Sequence, residues 1–575
     1  MADKDQLTAL LEEIAALLEL KGENPFKTKA YHTAAQTVAN LEMDLAALAQ
    51  EGTTVKGIGK TIGQQIAEFA HTGHIAYHDE LKASIPAAIV DMVKIPGLGP
   101  KKAWLLYEKL EIQSVGELEY ACRENRLQDL KGFGAKTQQA ILTGIEYKKR
   151  FQGRFLLCDA WPLAESIASW LASQAGISRA EVAGSIRRRT ETVSDLDIVV
   201  ASQAPEAATE AILAIPGIDR VVSKGTAKIS LTLQAGMNLD VRIVAPERFS
   251  GCLHHFTGSK DHNIALRARA KELGLKLNEY GLTDSDGVEM IVGSEAELYR
   301  LLGLPYIPPE LREGRDELIT AEKGQLPELI TRTDLNGLFH VHTDYSDGTA
   351  TIRQMAEACR RQGLHYIGIT DHSRTAVYAK GLTTADVLAQ RREIDALNQE
   401  MGDVHILAGI ESDILPDGTL DYPDEVLASF DFVIASVHSA FRQSEAEMTK
   451  RICQAMRNPY VTMLGHPTGR ILLGRPGYAV DMAGVIAAAG ATGTMIEINA
   501  NPYRLDIDWR LLGDAKRQGV LVSVNPDAHS IKEIDHLDYG IAMARKGGLT
   551  AADVVNTRTW EQLRPLLQQK RSRQA

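Results

Sequence analysis

The chain has 575 residues, too many for one hydrophobic core, and its 44% hydrophobic and 24% charged content fits several ordinary water-soluble domains. A net charge of −12 counts against binding nucleic acid by bulk positive charge. The five scattered cysteines, with no C-x-x-C pair, exclude a disulfide framework and a thiolate zinc site. With no secretory leader pattern at the start and no apolar run long enough for a membrane span, a cytoplasmic protein without membrane contact is expected.

Residues 1–150 read as short amphipathic helices, as in "LTALLEEIAALLELKG". A small motif recurs there three times: "VKGIGKTIGQQIAEF", "IPGLGPKKAWLLY" and "LKGFGAKTQQAIL". Each places G-x-G before a helix, so Gly57, Gly59, Gly97, Gly99, Gly132 and Gly134 expose backbone N–H groups to which a phosphate can come close. Three copies suit the repeated phosphates of DNA, read through backbone dipoles without base contacts. The repeats resemble the helix–hairpin–helix motif, and the region resembles the small domain of DNA polymerase beta. In that family the first motif carries a lysine that forms a Schiff base with an abasic deoxyribose phosphate. Gln65 occupies that place here, and an amide cannot form an imine, so no lyase activity is expected from it. Lys60 and Lys29 are the nearest amines in sequence.

From about residue 154 to 310 the pattern is α+β, with strands in "AEVAGS", "DLDIVVAS", "AKISLTLQ" and "MNLDVRIVA" forming a mostly antiparallel sheet. Asp195 and Asp197, two apart on a strand, point the same way, and Asp240 opens another apolar strand. Like charges on one face repel unless a cation lies between them, and three carboxylates suit two Mg²⁺ ions serving phosphoryl transfer. Just upstream, "GSIRRR" supplies Gly184 for close phosphate approach, the Ser185 hydroxyl and the arginines Arg187, Arg188 and Arg189 for phosphate oxygens.

This G-S…D-x-D…D order resembles the nucleotidyltransferase palm of family X DNA polymerases, and "LHHFTGSKDHN" resembles their thumb. The resemblance implies that Asp195, Asp197 and Asp240 are catalytic and that Ser185 and Arg188 take triphosphate oxygens, with Arg154 a weaker candidate. It places Phe256 and Gly258 by the sugar and Asn263 at the base edge or triphosphate. Two positions depart from the vertebrate members: His255 stands for tyrosine and Lys260 for aspartate. Lys260 puts a cation beside the nucleotide, so tighter binding of a free deoxynucleoside triphosphate is expected.

A charged, proline-bearing connector, "LPYIPPELREGRDELITAEKGQLPELI", leads to repeated βα units that predict a parallel barrel. There His340, His342, Asp347, His372, Glu411, His438, His466, Asp527 and His529 fall at or just beyond the C-terminal ends of predicted strands, the rim where a barrel's side chains converge. Six histidines and three carboxylates suffice for two or three transition-metal ions. The order H-x-H, T-D-H, G-x-E, V-H, G-H-P, D-A-H resembles the polymerase and histidinol phosphatase (PHP) domain, with all nine ligand positions filled. That implies hydrolysis of phosphoesters with Mn²⁺ or Zn²⁺ and, in bacterial family X polymerases, 3′→5′ exonuclease action. His365, His405 and His536 fall outside the pattern and are read as structural.

The resemblances together divide the chain into a helical DNA-binding domain (1–150), palm and thumb (151–318), a linker (319–334) and a PHP phosphoesterase domain, a distorted βα barrel (335–575). They imply a monomer acting on gapped or primer–template DNA in repair. Two alternatives stay open: a barrel that is a phosphatase of small monoesters, and a DNA-end-binding scaffold without catalysis.

Overall fold

The computed structural model describes residues 4–40, 55, 57–93, 95, 98–127, 130, 132–149 and 153–574. It divides into two compact units, one of Met1–Cys122 with Leu127–Glu146, the other of Arg123–Arg126 with Tyr147–Ala575. Among the described residues no helix is long and apolar enough to cross a membrane.

The first unit is helical. Helices α1 (Lys4–Leu20) and α2 (Pro25–Asn40) meet through Leu7, Leu11, Ile14, Tyr31, Ala34 and Val38, an apolar stripe at helical spacing. Helices α3 (Lys60–Thr72), α4 (Pro100–Leu110) and α5 (Ala135–Lys149) each begin just after one of the G-x-G repeats. The middle residue of each repeat, Ile58, Leu98 or Phe133, is buried in the core and anchors the turn. Gly57 and Gly132 take positive φ, 101° and 95°, which a side chain would resist. Gly59 and Gly99 cap α3 and α4 without a side-chain hydrogen bond. Gly97 lies outside the described residues.

The second unit opens with α6 (Leu157–Ala172) packed against a five-stranded sheet. Its strands are β1 (Arg179–Val182), β2 (Asp195–Ala201), β3 (Ile218–Lys224), β4 (Lys228–Leu233) and β5 (Asn238–Val244), in the order β1–β2–β5–β4–β3. Only β2 and β5 run parallel. Strand β3 has no counterpart in the sequence reading. It is an edge strand with Val221 and Val222 exposed, so it lacks the burial that makes a strand legible. Helices α7 (Phe249–Thr257) and α8 (Lys260–Glu272) follow, then a small antiparallel sheet around a second core of Leu266, Leu277, Leu282 and Leu298. The stretch expected as a connector is packed into this region: Leu304 and Ile307 join its core, and the fully buried Arg312 donates to the Ile307 carbonyl at 2.8 Å and to Glu295 at 2.6 Å.

The expected parallel barrel forms, with seven strands. They are β6 (Gly337–Val341), β7 (Tyr366–Ile369), β8 (His405–Asp413), β9 (Phe432–Ser436), β10 (Met463–Leu464), β11 (Met495–Asn499) and β12 (Val522–Asn525), parallel and in sequential order. A bridge between Val341 and Ala528 brings the two ends together, so the barrel is nearly closed. Three of the helices between strands start on capping boxes, Thr351/Gln354, Thr383/Asp386 and Ser444/Glu447.

Candidate active sites

In the five-stranded sheet the parallel register sets Asp195 beside Asn238 and Asp197 beside Asp240. Alternation turns Asp195, Asp197 and Asp240 to one face, while Leu196, Ile198 and Val200 are buried in the core. Burial first, then the charges of Asp195 and Asp240, push Asp197 up to about 7. Lys228 on the neighbouring strand stands 2.6 Å from Asp240, and the Ser230 hydroxyl donates to the same carboxylate at 2.7 Å. Arg242, two residues past Asp240 on the same face, lies 4.4 Å over the Phe256 ring. Sequence reading missed Lys228, Ser230 and Arg242, although each follows from the period of two once the register of β4 and β5 is known.

Gly184 begins a short turn, Gly184–Arg187, with φ +61°. A Cβ on it would meet Asp197 Oδ2 at 2.2 Å, so only glycine lets this turn sit against the carboxylate. Ser185 follows in that turn. Arg187 is taken up by Glu295, at 2.5 Å, and by the Thr257 hydroxyl. Arg188 donates to the Thr257 carbonyl at 2.5 Å and to Glu313 at 3.2 Å, and lies against Gly258, 3.1 Å from where a Cβ would sit. The structure therefore brings Gly184, Arg188, Gly258 and Asp197 into one neighbourhood. Arg154 is exposed and bonds Thr192, ahead of Asp195. The Asn263 amide donates to the His255 carbonyl at 2.8 Å, His255 pairs with Arg267 at 3.2 Å, and Lys260 is exposed at the start of α8.

At the barrel rim all nine expected residues converge. Their ligand atoms fall into four overlapping groups, each within 4.8 Å: His342, Asp347, His372 and His529; His340, His466 and Asp527; His340, His342 and Glu411; His372, Glu411 and His438. Glu411 is the hub, 3.3 Å from His340, 3.7 Å from His342, 3.0 Å from His372, 3.2 Å from His438 and 2.9 Å from His466. Burial opposes its charge, but His438, His340 and His372 hold Glu411 well below the usual carboxylate range. Two residues apart, His340 and His342 are expected from the sequence to share one strand face, but His340 does not share a regular face with His342. It sits at a register shift with φ +60°, and His342 lies just beyond the strand; the rings still come within 5.3 Å. His466 and Asp527 also take positive φ, 23° and 51°. Such backbone costs about 1–3 kcal/mol per residue and persists where surrounding structure holds it, as at ligand clamps.

Two carboxylates that sequence reading missed orient this rim. Glu497 accepts from or pairs with His340 Nδ1 at 2.6 Å and accepts the His466 N–H at 2.7 Å. Asp413 stands 2.5 Å from His438 Nδ1. Each occupies one ring nitrogen and leaves the other facing the cluster. Asp371 binds the Thr343 and Ser346 backbone and the Gln390 amide, fixing the loop that carries His342 to Asp347. Asp413 was legible, two residues past Glu411 on one strand. Glu497 was not, because a lone glutamate in an apolar strand names no partner. The donor set fits metal ions: His340 Nε2, His342 Nδ1, His372 Nδ1 and His529 Nε2 are buried without a well-formed hydrogen bond, each with a carboxylate oxygen 3.0–3.8 Å away.

Family models match along the chain in order: a helix-hairpin-helix domain at residues 2–75, a SAM-like helix-hairpin-helix tandem at 89–146, a DNA polymerase beta thumb at 252–313 and a PHP domain at 339–501. The chain is 41% identical to the DNA polymerase/3′-5′ exonuclease PolX of Bacillus subtilis over 569 residues, 98% of this chain and 99% of that protein. It is 25% identical to DNA polymerase lambda of Rattus norvegicus over 53% of this chain and 56% of that one. Over 41% of its length it is 32% identical to a probable phosphatase of Caldanaerobacter subterraneus, 91% of which is covered.

Proposed function

The chain belongs to the family X DNA polymerases that carry a C-terminal PHP domain, and on that premise we propose that it fills short gaps during DNA repair and trims 3′ ends at its barrel rim. The observation that carries the polymerase reading is the register of Asp197 beside Asp240, with Gly184 packed onto Asp197. We assign residues 1–150 to DNA binding, 151–318 to palm and thumb, 319–334 to a linker and 335–575 to the PHP domain. In this reading Gly57, Gly59, Gly97, Gly99, Gly132 and Gly134 offer backbone N–H groups to the DNA backbone.

Asp195, Asp197 and Asp240 would hold Mg²⁺, and the nine rim residues two or three Mn²⁺ or Zn²⁺ ions. Divalent ions in such sites neutralise the charge that develops on phosphoryl oxygens and lower the pKa of water at the rim. Everything else falls to the chain's own residues. Gly184 and Ser185 leave room for the triphosphate, Arg188 binds its oxygens, and Lys228 gives up Asp240 when the site loads. Phe256, Gly258 and His255 would line the sugar and Asn263 the base edge, with Lys260 drawing in the free nucleotide and Arg154 in a lesser role. At the rim, Glu497 and Asp413 hold His340 and His438 in the tautomers that face the cluster. No lyase step is assigned to residue 65, since the Gln65 amide is buried and accepts the Tyr31 hydroxyl at 2.8 Å.

A second reading keeps the polymerase but makes the barrel a phosphatase of small monoesters; the likeness to probable phosphatases over the barrel favours it. One experiment separates the two. A 5′-labelled primer–template is incubated with Mn²⁺ and no nucleotide, with native protein and with His342→Ala. Stepwise shortening by the native protein alone supports the exonuclease. An intact primer, with a small monoester hydrolysed by the native protein alone, supports the phosphatase.

A further inference from the structure

The loop that carries Arg188 is tied down by the barrel. Helix α9 (Leu537–Lys546) ends on Lys546, whose ammonium is buried and donates to the Arg188 carbonyl at 3.0 Å. Lys546 also pairs with Glu313, the same carboxylate that receives Arg188 Nε. Three residues on, Glu191 is held by two barrel arginines, Arg510 at 3.0 Å and Arg470 at 3.9 Å. Between these ties Arg189 takes a left-handed backbone, φ +57°, with its guanidinium 3.5 Å over Trp161, which meets Tyr539 of α9 edge-on at 5.6 Å. A non-glycine residue adopts that conformation only where its surroundings impose it.

Lys546 gives the barrel a cation contact with the Trp509 ring, at 4.6 Å, but no hydrogen bond among the described residues. A buried ammonium is costly unless its donors are met, and here two of its three N–H donors are met by the loop and the segment that fix Arg188. We propose that Lys546 is a positioning residue for polymerisation: by sharing Glu313 with Arg188 and holding the Arg188 carbonyl, it keeps that guanidinium placed and available to the incoming triphosphate. Without Lys546 the full charge of Glu313 falls on Arg188, and the arginine's carbonyl loses its donor. The barrel thereby supports the nucleotide site as well as carrying a site of its own. This rests on reading Arg188 as a triphosphate ligand.

The test is single-nucleotide incorporation by the full chain, with KM for the nucleotide and kcat measured separately, for the native protein, Lys546→Met, Arg188→Ala and the double variant. Lys546→Met should raise KM about tenfold and leave kcat within about twofold. Its Mn²⁺-dependent hydrolysis at the rim should match native, and the double variant should be no worse than Arg188→Ala alone. An unchanged KM in Lys546→Met while Arg188→Ala raises it overturns the proposal. Additive effects in the double variant, or loss of both activities together, make Lys546 a mere structural tie and overturn it equally. If Arg188→Ala itself leaves KM unchanged, the triphosphate reading of Arg188 has failed instead. Should Lys546→Met not melt cooperatively, Lys546→Gln takes its place: its amide can still donate to the Arg188 carbonyl but no longer offsets the charge of Glu313, so it must raise KM without lowering kcat, and an unchanged KM there overturns the proposal.

Discussion

In the palm, Asp195, Asp197 and Asp240 stand half-buried on two parallel strands, with Lys228 paired to one of them at 2.6 Å. At the barrel rim three carboxylates are buried among six imidazoles, and a single glutamate lies within 3.7 Å of five of them. The four ligand groups found among the described residues all lie at the rim. The rim thus arrives with its charges already matched and its ligands gathered. The palm holds like charges that are only partly offset, and burial together with the charges of Asp195 and Asp240 pushes Asp197 up to about 7. A site that neutralises itself can be buried and kept assembled. One that does not stays open, so that cations can enter.

The sharpest way to break the comparison is to remove one ligand from each site. Asp197→Asn should lower nucleotide incorporation by about a thousandfold or more, since a carboxylate shared by the site is lost, while rim hydrolysis stays within about twofold of native. His342→Ala should do the reverse. Incorporation and primer shortening, measured on the same preparations, check both. If either variant abolished both activities, the two sites would not be independent.

A smaller effect is expected at the carboxylates behind the rim. Glu497→Gln and Asp413→Asn leave all nine ligands in place but loosen His340 and His438, and should weaken metal affinity about 10- to 100-fold. Titrating Mn²⁺ into metal-depleted protein and following hydrolysis reads this directly. Native affinity in both variants would mean that the packed imidazoles alone hold their orientation. In the palm strand register orders the carboxylates, with the Ser230 hydroxyl and Lys228 as further ties on Asp240.

What the sequence disclosed follows the same divide. All nine rim residues were legible because they sit at or just past strand ends in a repeated βα pattern, and a barrel brings such ends together whatever the loops between them. The carboxylates Asp195, Asp197 and Asp240 were legible from strand alternation and the apolar runs after them. What alternation could not show is pairing across strands. Lys228 and Arg242 took their meaning only when β4 was found beside β5, and Glu497 only when its strand placed it behind His340. The kink at His340 was hidden too, because a register shift depends on the neighbouring strand. Lys546 was out of reach, since its partners Arg188 and Glu313 lie more than two hundred residues away.

The smallest effect concerns the palm's own cation. Lys228 lies against Asp240 with about a third of its side chain exposed, so the pair is partly screened and contributes little to stability. Its consequence for loading is easier to sign. A divalent ion approaching Asp240 must displace Lys228, and removing the lysine also leaves the three carboxylates repelling one another more strongly before loading. Both changes favour the ion. Lys228→Ala should therefore lower the Mg²⁺ concentration for half-maximal incorporation by about two- to fivefold, the range of one exposed ion pair. The Mn²⁺ dependence of rim hydrolysis should not move. A higher Mg²⁺ requirement would mean that the lysine's charge serves the bound nucleotide more than it opposes the metal. The lysine would then belong to the nucleotide site.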